Sequence, residues 1–234
     1  MRRNWICLVV LLAVAPSWLY ADTGAGPRPN IILLVADDLG FSDLGSYGSE
    51  IDTPNIDTIA STGVRFSNFH VATSCAPTRA MLLTGVSSHK AGVSNIPEAI
   101  PNYQAGAPAY QGVLRKDVTT LAERLSGMGY RTLLSGKWHL GRGAGELPSQ
   151  RGFDRAFALA DTGADNWRQR SYLPIYANAN WFEDGEPIQL PDNFYSSKNI
   201  VDKAIEYLGE EAQAQPFFAY VAFQAVHIPV QAPA

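Results

Sequence analysis

The chain alternates between short apolar runs and amphipathic stretches. Asn30 to Ala36 (NIILLVA) is a continuous apolar run rich in Ile, Leu and Val. Its length, with Pro27 and Pro29 ahead of it, predicts a central parallel strand buried on both faces. It stops abruptly at Asp37-Asp38. Thr53-Pro54 then offers an N-cap with Pro at the first helical position; Ile56, Ile59 and Ala60 follow at helical spacing, and Gly63 is a natural stop. From Val64 to Val71 the pattern alternates. Val64, Phe66, Asn68 and His70 share one face, with Arg65, Ser67, Phe69 and Val71 on the other, which predicts a strand leading into the loop of Cys75.

Pro77 suits the first turn of a helix that runs through Ala80, Met81, Leu82 and Leu83 to Gly85. Asn95 to Gly112 is rich in Pro, Gly and Ala and reads as a long loop. Thr120 and Glu123 match a capping box that opens a helix over Leu121, Ala122 and Leu125, ending near Gly127 or Gly129. Tyr130 to Ser135 reads as a strand ending at Gly136-Lys137-Trp138-His139. Gly143 to Asn193 is loop-rich, with Asp184-Gly185 as a hairpin turn. Ser196 or Ser197 caps an amphipathic helix with Ile200, Val201, Ala204, Ile205 and Leu208 on one face. Phe217 to Phe223 is a last buried strand, and His227 stands just beyond it.

Strands and helices in alternation predict an α/β fold with a mostly parallel central sheet flanked by helices. Separate strands end in Asp37-Asp38, in Lys137 and His139, and in His227. Ligands of open parallel sheets sit beyond the carboxyl ends of the strands, so these distant segments are expected to converge on one crevice.

Composition narrows the function classes. A formal charge of −4 argues against a nucleic-acid binder. Arg2 and Arg3, the apolar stretch from Ile6 to Ala15, the break at Pro16-Ser17 and Ala21 form the pattern of a cleaved secretory signal over residues 1–21, with a linker over 22–28. The stretch is too short to span a bilayer, so export to the periplasm or medium is expected, without a stable membrane anchor. Signal removal takes Cys7 and leaves Cys75 as the only cysteine. A lone cysteine in an exported protein is either an inert buried thiol or one with a chemical role.

Cys75-Ala76-Pro77-Thr78-Arg79, followed by Thr84-Gly85, resembles the sulfatase signature, in which the cysteine is oxidised to formylglycine. Asp37-Asp38 with Leu39-Gly40-Phe41-Ser42-Asp43 resembles the metal-binding acid pair of that family, and Lys137-Trp138-His139-Leu140-Gly141 its second signature. His227 in Phe223-Gln224-Ala225-Val226-His227 resembles a later family histidine. Glu98-Ala99, Arg151-Gly152-Phe153-Asp154 and the closing Gln231-Ala232-Pro233 look like bacterial arylsulfatases.

The resemblance implies residues 29–234 as the N-terminal part of a sulfatase catalytic domain with an alkaline-phosphatase-like fold. It implies sulfate ester hydrolysis by a formylglycine from Cys75, with one Ca2+ held by Asp37, Asp38 and residue 75. Arg79 and Lys137 would then lie at the sulfate, with His139 as a base and His227 near the leaving oxygen. A formylglycine-generating enzyme becomes the maturation partner and a sulfate ester the small-molecule substrate. The family's further acid, amide and lysine come from a downstream segment, so the chain alone is expected to bind Ca2+ weakly and to be inactive. Relatives acting on phosphodiesters or phosphonate esters, or a binding homologue without activity, are the alternative readings. His70 and His89 match no family role.

Overall fold

The computed structural model describes residues 28–210 and 215–233. The expected signal over 1–21 lies outside the described residues. The elements in chain order are β1 (Ile31–Asp37), α1 (Pro54–Thr62), α2 (Cys75–Thr84), α3 (Ser88–Ala91), α4 (Leu121–Gly127), β2 (Arg131–Lys137), β3 (Arg155–Leu159), β4 (Trp181–Glu183), β5 (Glu186–Pro187), α5 (Ser196–Gly209) and β6 (Phe217–Val226). They build a six-stranded sheet in the order β1-β6-β2-β3-β4-β5. β1, β6, β2 and β3 are parallel, and the hairpin β4-β5 continues the sheet antiparallel.

Adjacent strand residues serve opposite faces, and two cores result. Leu134, Phe218, Tyr220 and Ala222 pack with Ala76, Ala80 and Leu83 of α2 and with Ala122 and Leu125 of α4. Leu133, Ala219 and Val221 pack on the other face with Ile200, Ala204 and Tyr207 of α5, and with Trp181 and Phe194. The sheet is thus a middle layer between helices.

The capping box of α4 is formed as expected: Thr120 Oγ1 accepts from Glu123 N at 3.0 Å, and Glu123 accepts from Thr120 N at 2.7 Å. Asp184 (φ 51°) and Gly185 (φ 98°) make the hairpin turn in left-handed conformations that suit these residue types.

Several expectations are corrected. β1 is an edge strand among the described residues, and its Ile32 and Leu34 are 57 % and 56 % exposed, so it is not buried on both faces. Residues 64–71 form no strand, and Val64, Phe66, Phe69 and Val71 are exposed. Alternation makes a strand only where a neighbouring strand takes up its N–H and C=O groups, and among the described residues no strand pairs with this segment. β3 lies inside the stretch read as loop-rich; it is short and its pairing with β2 decides it. In α5 the buried face is Ser196, Ile200, Ala204 and Tyr207, while Val201 and Ile205 face outward. Tyr195, not a serine, holds the cap position, because Ser196 is drawn inside by Asn166.

Candidate active site

At the carboxyl end of the sheet, a register shift between Val35 and Asp37 in the β1–β6 pairing re-aims the last residue of β1. Asp37 is thereby buried, whereas Asp38, in the left-handed region (φ 60°), turns its carboxylate outward with the side chain 59 % exposed. Both oxygens of Asp37 carry a cation. Arg79 Nη2 donates to Oδ1 at 3.1 Å, and Lys137 Nζ donates to Oδ2. Burial alone would raise the Asp37 carboxyl; the charges of Arg79 and Lys137 outweigh it and hold it below the usual carboxylate range.

Arg79 reaches this point from the second turn of α2. Its guanidinium also donates to the Lys137 carbonyl at 2.8 Å and to Tyr220 Oη at 3.1 Å. The fork expected to face an oxygen-rich group is therefore turned inward, as a strut joining α2, β1, β2 and β6.

Cys75 is the first residue of α2. The loop entering it is held by Thr78, whose hydroxyl donates to the carbonyls of Ser74 at 2.9 Å and Ala72 at 3.2 Å. Beyond β2, alternation puts Trp138 into the core, edge-on to Phe153, and leaves Lys137 and His139 on the site side. His139 is itself left-handed (φ 55°), a conformation tolerated by few side chains other than Asn, Asp and His. Its Nδ1 lies 3.3 Å from Cys75 Sγ and its Nε2 3.1 Å from Glu98 Oε2. The other Glu98 oxygen accepts from Tyr176 Oη at 2.7 Å.

Burial would raise the Cys75 thiol, but the hydrogen bond with His139 and the charge of Lys137 bring it down to about 7. Burial would lower His139, and its bonds to Cys75 and Glu98 raise it instead. Glu98, which burial would push up, is held at about 2 by its bond with His139 and the charge on that ring, and by Tyr176.

His227 completes the site from beyond β6. Its Nδ1 donates to the Ile228 carbonyl at 2.6 Å, so Nε2 is the free nitrogen and faces Asp38 Oδ2 at 3.7 Å. The Tyr172 ring stands edge-on to it at 5.5 Å.

Asp37, Arg79, Cys75, Lys137 and His139 are thus brought together, with His227 and Asp38 at the side. His70 and His89 lie elsewhere, His70 on Asn68 and His89 against Tyr110. Glu98, Tyr176 and Tyr220 belong to the site without having been singled out as functional. A signal existed for Glu98: a lone carboxylate in the apolar run Ile96-Pro97-Glu98-Ala99-Ile100. None existed for the tyrosines.

Among the described residues no group of three or more His, Cys, Asp and Glu side chains is placed to hold an ion. The hard oxygens of Asp37 and Asp38 suit one side of a divalent-cation cage. In this arrangement Asp37 is satisfied by Arg79 and Lys137, and Asp38 is the open donor.

The sulfatase family model matches residues 29–234. Among curated proteins the chain is 41 % identical over 217 residues to an uncharacterized sulfatase of Schizosaccharomyces pombe, covering 88 % of this chain and 39 % of that protein. It is 39 % identical over 208 residues to an arylsulfatase of Klebsiella aerogenes, covering 88 % and 44 %. Among solved structures, Ps i-CgsB in complex with k-i-k-neocarrahexaose superposes with a TM-score of 0.74 at 31 % identity, over 88 % of this chain and 47 % of that one. BT4656 in complex with D-glucosamine-2-N,6-O-disulfate superposes with a TM-score of 0.68 at 30 % identity, over 86 % and 35 %. The chain spans less than half the length of these relatives.

Proposed function

The chain belongs to the sulfatase family, and we propose that the protein hydrolyses sulfate esters, in the manner of arylsulfatases, through a nucleophile made from Cys75. The observation that carries this reading is the meeting of Cys75 and His139 at 3.3 Å beside the Asp37–Arg79–Lys137 cluster.

A formylglycine at position 75, once hydrated, supplies one hydroxyl that attacks sulfur and expels the alcohol and a second that loses its proton as sulfate leaves and the aldehyde returns. Asp37, Asp38 and residue 75 would hold a divalent cation such as Ca2+, which would supply positive charge for the sulfate oxygens. The chain's own residues prepare that chemistry. Sγ of Cys75 marks the place of the reacting oxygen, at the positive end of the α2 dipole. Arg79 and Lys137 keep Asp37 ionised and leave the cluster one positive charge in excess, which favours an anion. His139 Nδ1 faces residue 75 and is placed to take its proton. His227 Nε2, at the exposed side, is placed to serve the leaving oxygen.

Export belongs to the same reading: residues 1–21 act as a signal, and the secreted protein begins at or near Asp22, as N-terminal sequencing would read. Maturation calls for a formylglycine-generating enzyme. The test is the whole protein co-produced with such an enzyme, with mass spectrometry of the tryptic peptide containing Cys75. Turnover of an aryl sulfate, a sulfated sugar and a phosphate diester is compared on the same sample. An aldehyde at position 75 with sulfate esters as the preferred substrates supports the reading. Preference for the diester transfers the site to phosphodiester chemistry, and an unmodified thiol without turnover leaves a binding homologue.

A further inference from the structure

The ring of His139 is shut off from water, its side chain 1 % exposed, and each nitrogen has one partner: Cys75 at Nδ1 and Glu98 at Nε2. Glu98 comes from a short 3-10 turn, Pro97–Ala99, and its side chain is 5 % exposed. An ionised carboxylate can only accept hydrogen bonds. Nε2 must therefore carry a hydrogen, and in the neutral ring the lone pair then sits on Nδ1, toward residue 75. The opposite tautomer would point an N–H at residue 75 and could take no proton from it.

We propose that Glu98 is a positioning residue that fixes the tautomer and orientation of His139, and that Tyr176 holds Glu98 in that role. The inference rests on the reading of residue 75 and His139 as reaction partners. Tyr176 is well placed for this. Its hydroxyl donates to Glu98 at 2.7 Å, its ring lies under Arg142 at 4.7 Å, and Arg142 is anchored on Asp161 at 3.2 Å. Asp161 in turn accepts from Asn180 N at 2.8 Å. The loop that carries Glu98 is thus tied to the loop that carries Tyr176 through the carboxylate that also holds the base. Such outer partners of a histidine set which of its nitrogens is free.

The test compares Glu98→Leu, which keeps the volume without an acceptor, with Glu98→Gln in the whole protein. The glutamine amide oxygen can accept from Nε2–H while its NH2 group donates to the Tyr176 oxygen. Glu98→Leu is expected to lower kcat about 10- to 100-fold with KM little changed, and Glu98→Gln to keep most of kcat. A packing role would be filled by leucine as well as by glutamine. The second readout is the 15N signature of the His139 ring, assigned by its loss in His139→Gln and recorded where the ring is neutral. The wild type should show hydrogen on Nε2 alone, and Glu98→Leu a mixture. An unchanged signature in Glu98→Leu overturns the inference, whether or not the protein hydrolyses sulfate esters. A changed signature in a protein inactive on every sulfate ester supports the positioning role and overturns the hydrolase reading instead. Where Glu98→Leu does not fold, the same readouts are taken on Glu98→Ala. Tyr176→Phe should cost about 10-fold in kcat, the low end of what a hydrogen bond to a charged group contributes; wild-type kcat in that variant overturns the part given to Tyr176.

Discussion

The guanidinium of Arg79 lies 3.1 Å from Oδ1 of Asp37, with both side chains no more than 4 % exposed, and this pair joins the start of α2 to the end of β1. Removing one partner of a buried ion pair leaves the other charge poorly compensated. Arg79→Ala is therefore expected to destabilise the fold by about 3 kcal/mol, at the low end of the range because Lys137 still neutralises Asp37. Arg79→Lys should also destabilise, since one ammonium cannot serve Asp37, the Lys137 carbonyl and Tyr220 together. Denaturant midpoints of the variants check this; a loss under about 1 kcal/mol for Arg79→Ala would show that the strut carries little.

Glu98 makes stability depend on pH. Its folded value of about 2 lies below its ordinary 4.5, so the unfolded chain binds a proton more readily in between. Its stabilisation is fully present above about pH 4.5 and is lost as the pH falls toward about 2. The upper limit is roughly 3 kcal/mol. Unfolding free energies of the wild type and Glu98→Gln, followed against pH, should converge over that window. A gap that stays constant would assign the difference to shape rather than charge.

Gly136 pairs with Ala222 of β6 just before Lys137 and His139. Its φ is +117°, and a Cβ there would meet the Ala222 carbonyl oxygen at 1.9 Å. Gly136→Ala must push the strands apart and is expected to cost at least about 2 kcal/mol. It should also lower turnover, because the displaced segment carries two site residues. Wild-type stability in a thermal or denaturant melt would refute the close approach.

Cys75→Ala and Cys75→Ser should both fold, since residue 75 is only partly buried at a helix start. Loss of the covalent route should lower turnover by several orders of magnitude. The serine variant has one hydroxyl where the hydrated aldehyde has two. It can complete the attack on sulfur but not the release, and should accumulate a serine heavier by one SO3 group. Continuous turnover by Cys75→Ser would contradict the two-hydroxyl scheme.

Local pattern identified most of the helices. Pro54 at the start of α1 with Gly63 at its end, Thr120 with Glu123, and Gly85 each act through neighbours a few residues away, so their signals survive without the rest of the chain, although the Thr53 side chain makes no cap hydrogen bond. Strand identity was less legible. Residues 64–71 alternate and form no strand, while Arg155–Leu159 was hidden in a loop-rich stretch and does. Pairing is non-local, and only the packed sheet decides which segments find a partner.

The sequence by itself singled out the positions proposed to carry the chemistry: Asp37, Asp38, Cys75, Arg79, Lys137, His139 and His227. They lie at or just beyond strand ends or in the first two turns of a helix, and such places can be read locally. Tertiary structure alone decided how they are partnered. It parted Asp37 from Asp38 through a register shift, turned Arg79 inward onto Asp37, and brought Glu98 and Tyr176 to His139. The physical reason is reach. Asp37 and Arg79 stand 42 residues apart on a strand and a helix, Glu98 and Tyr176 78 apart outside the main helices and strands, and their meeting depends on packing that no local pattern encodes.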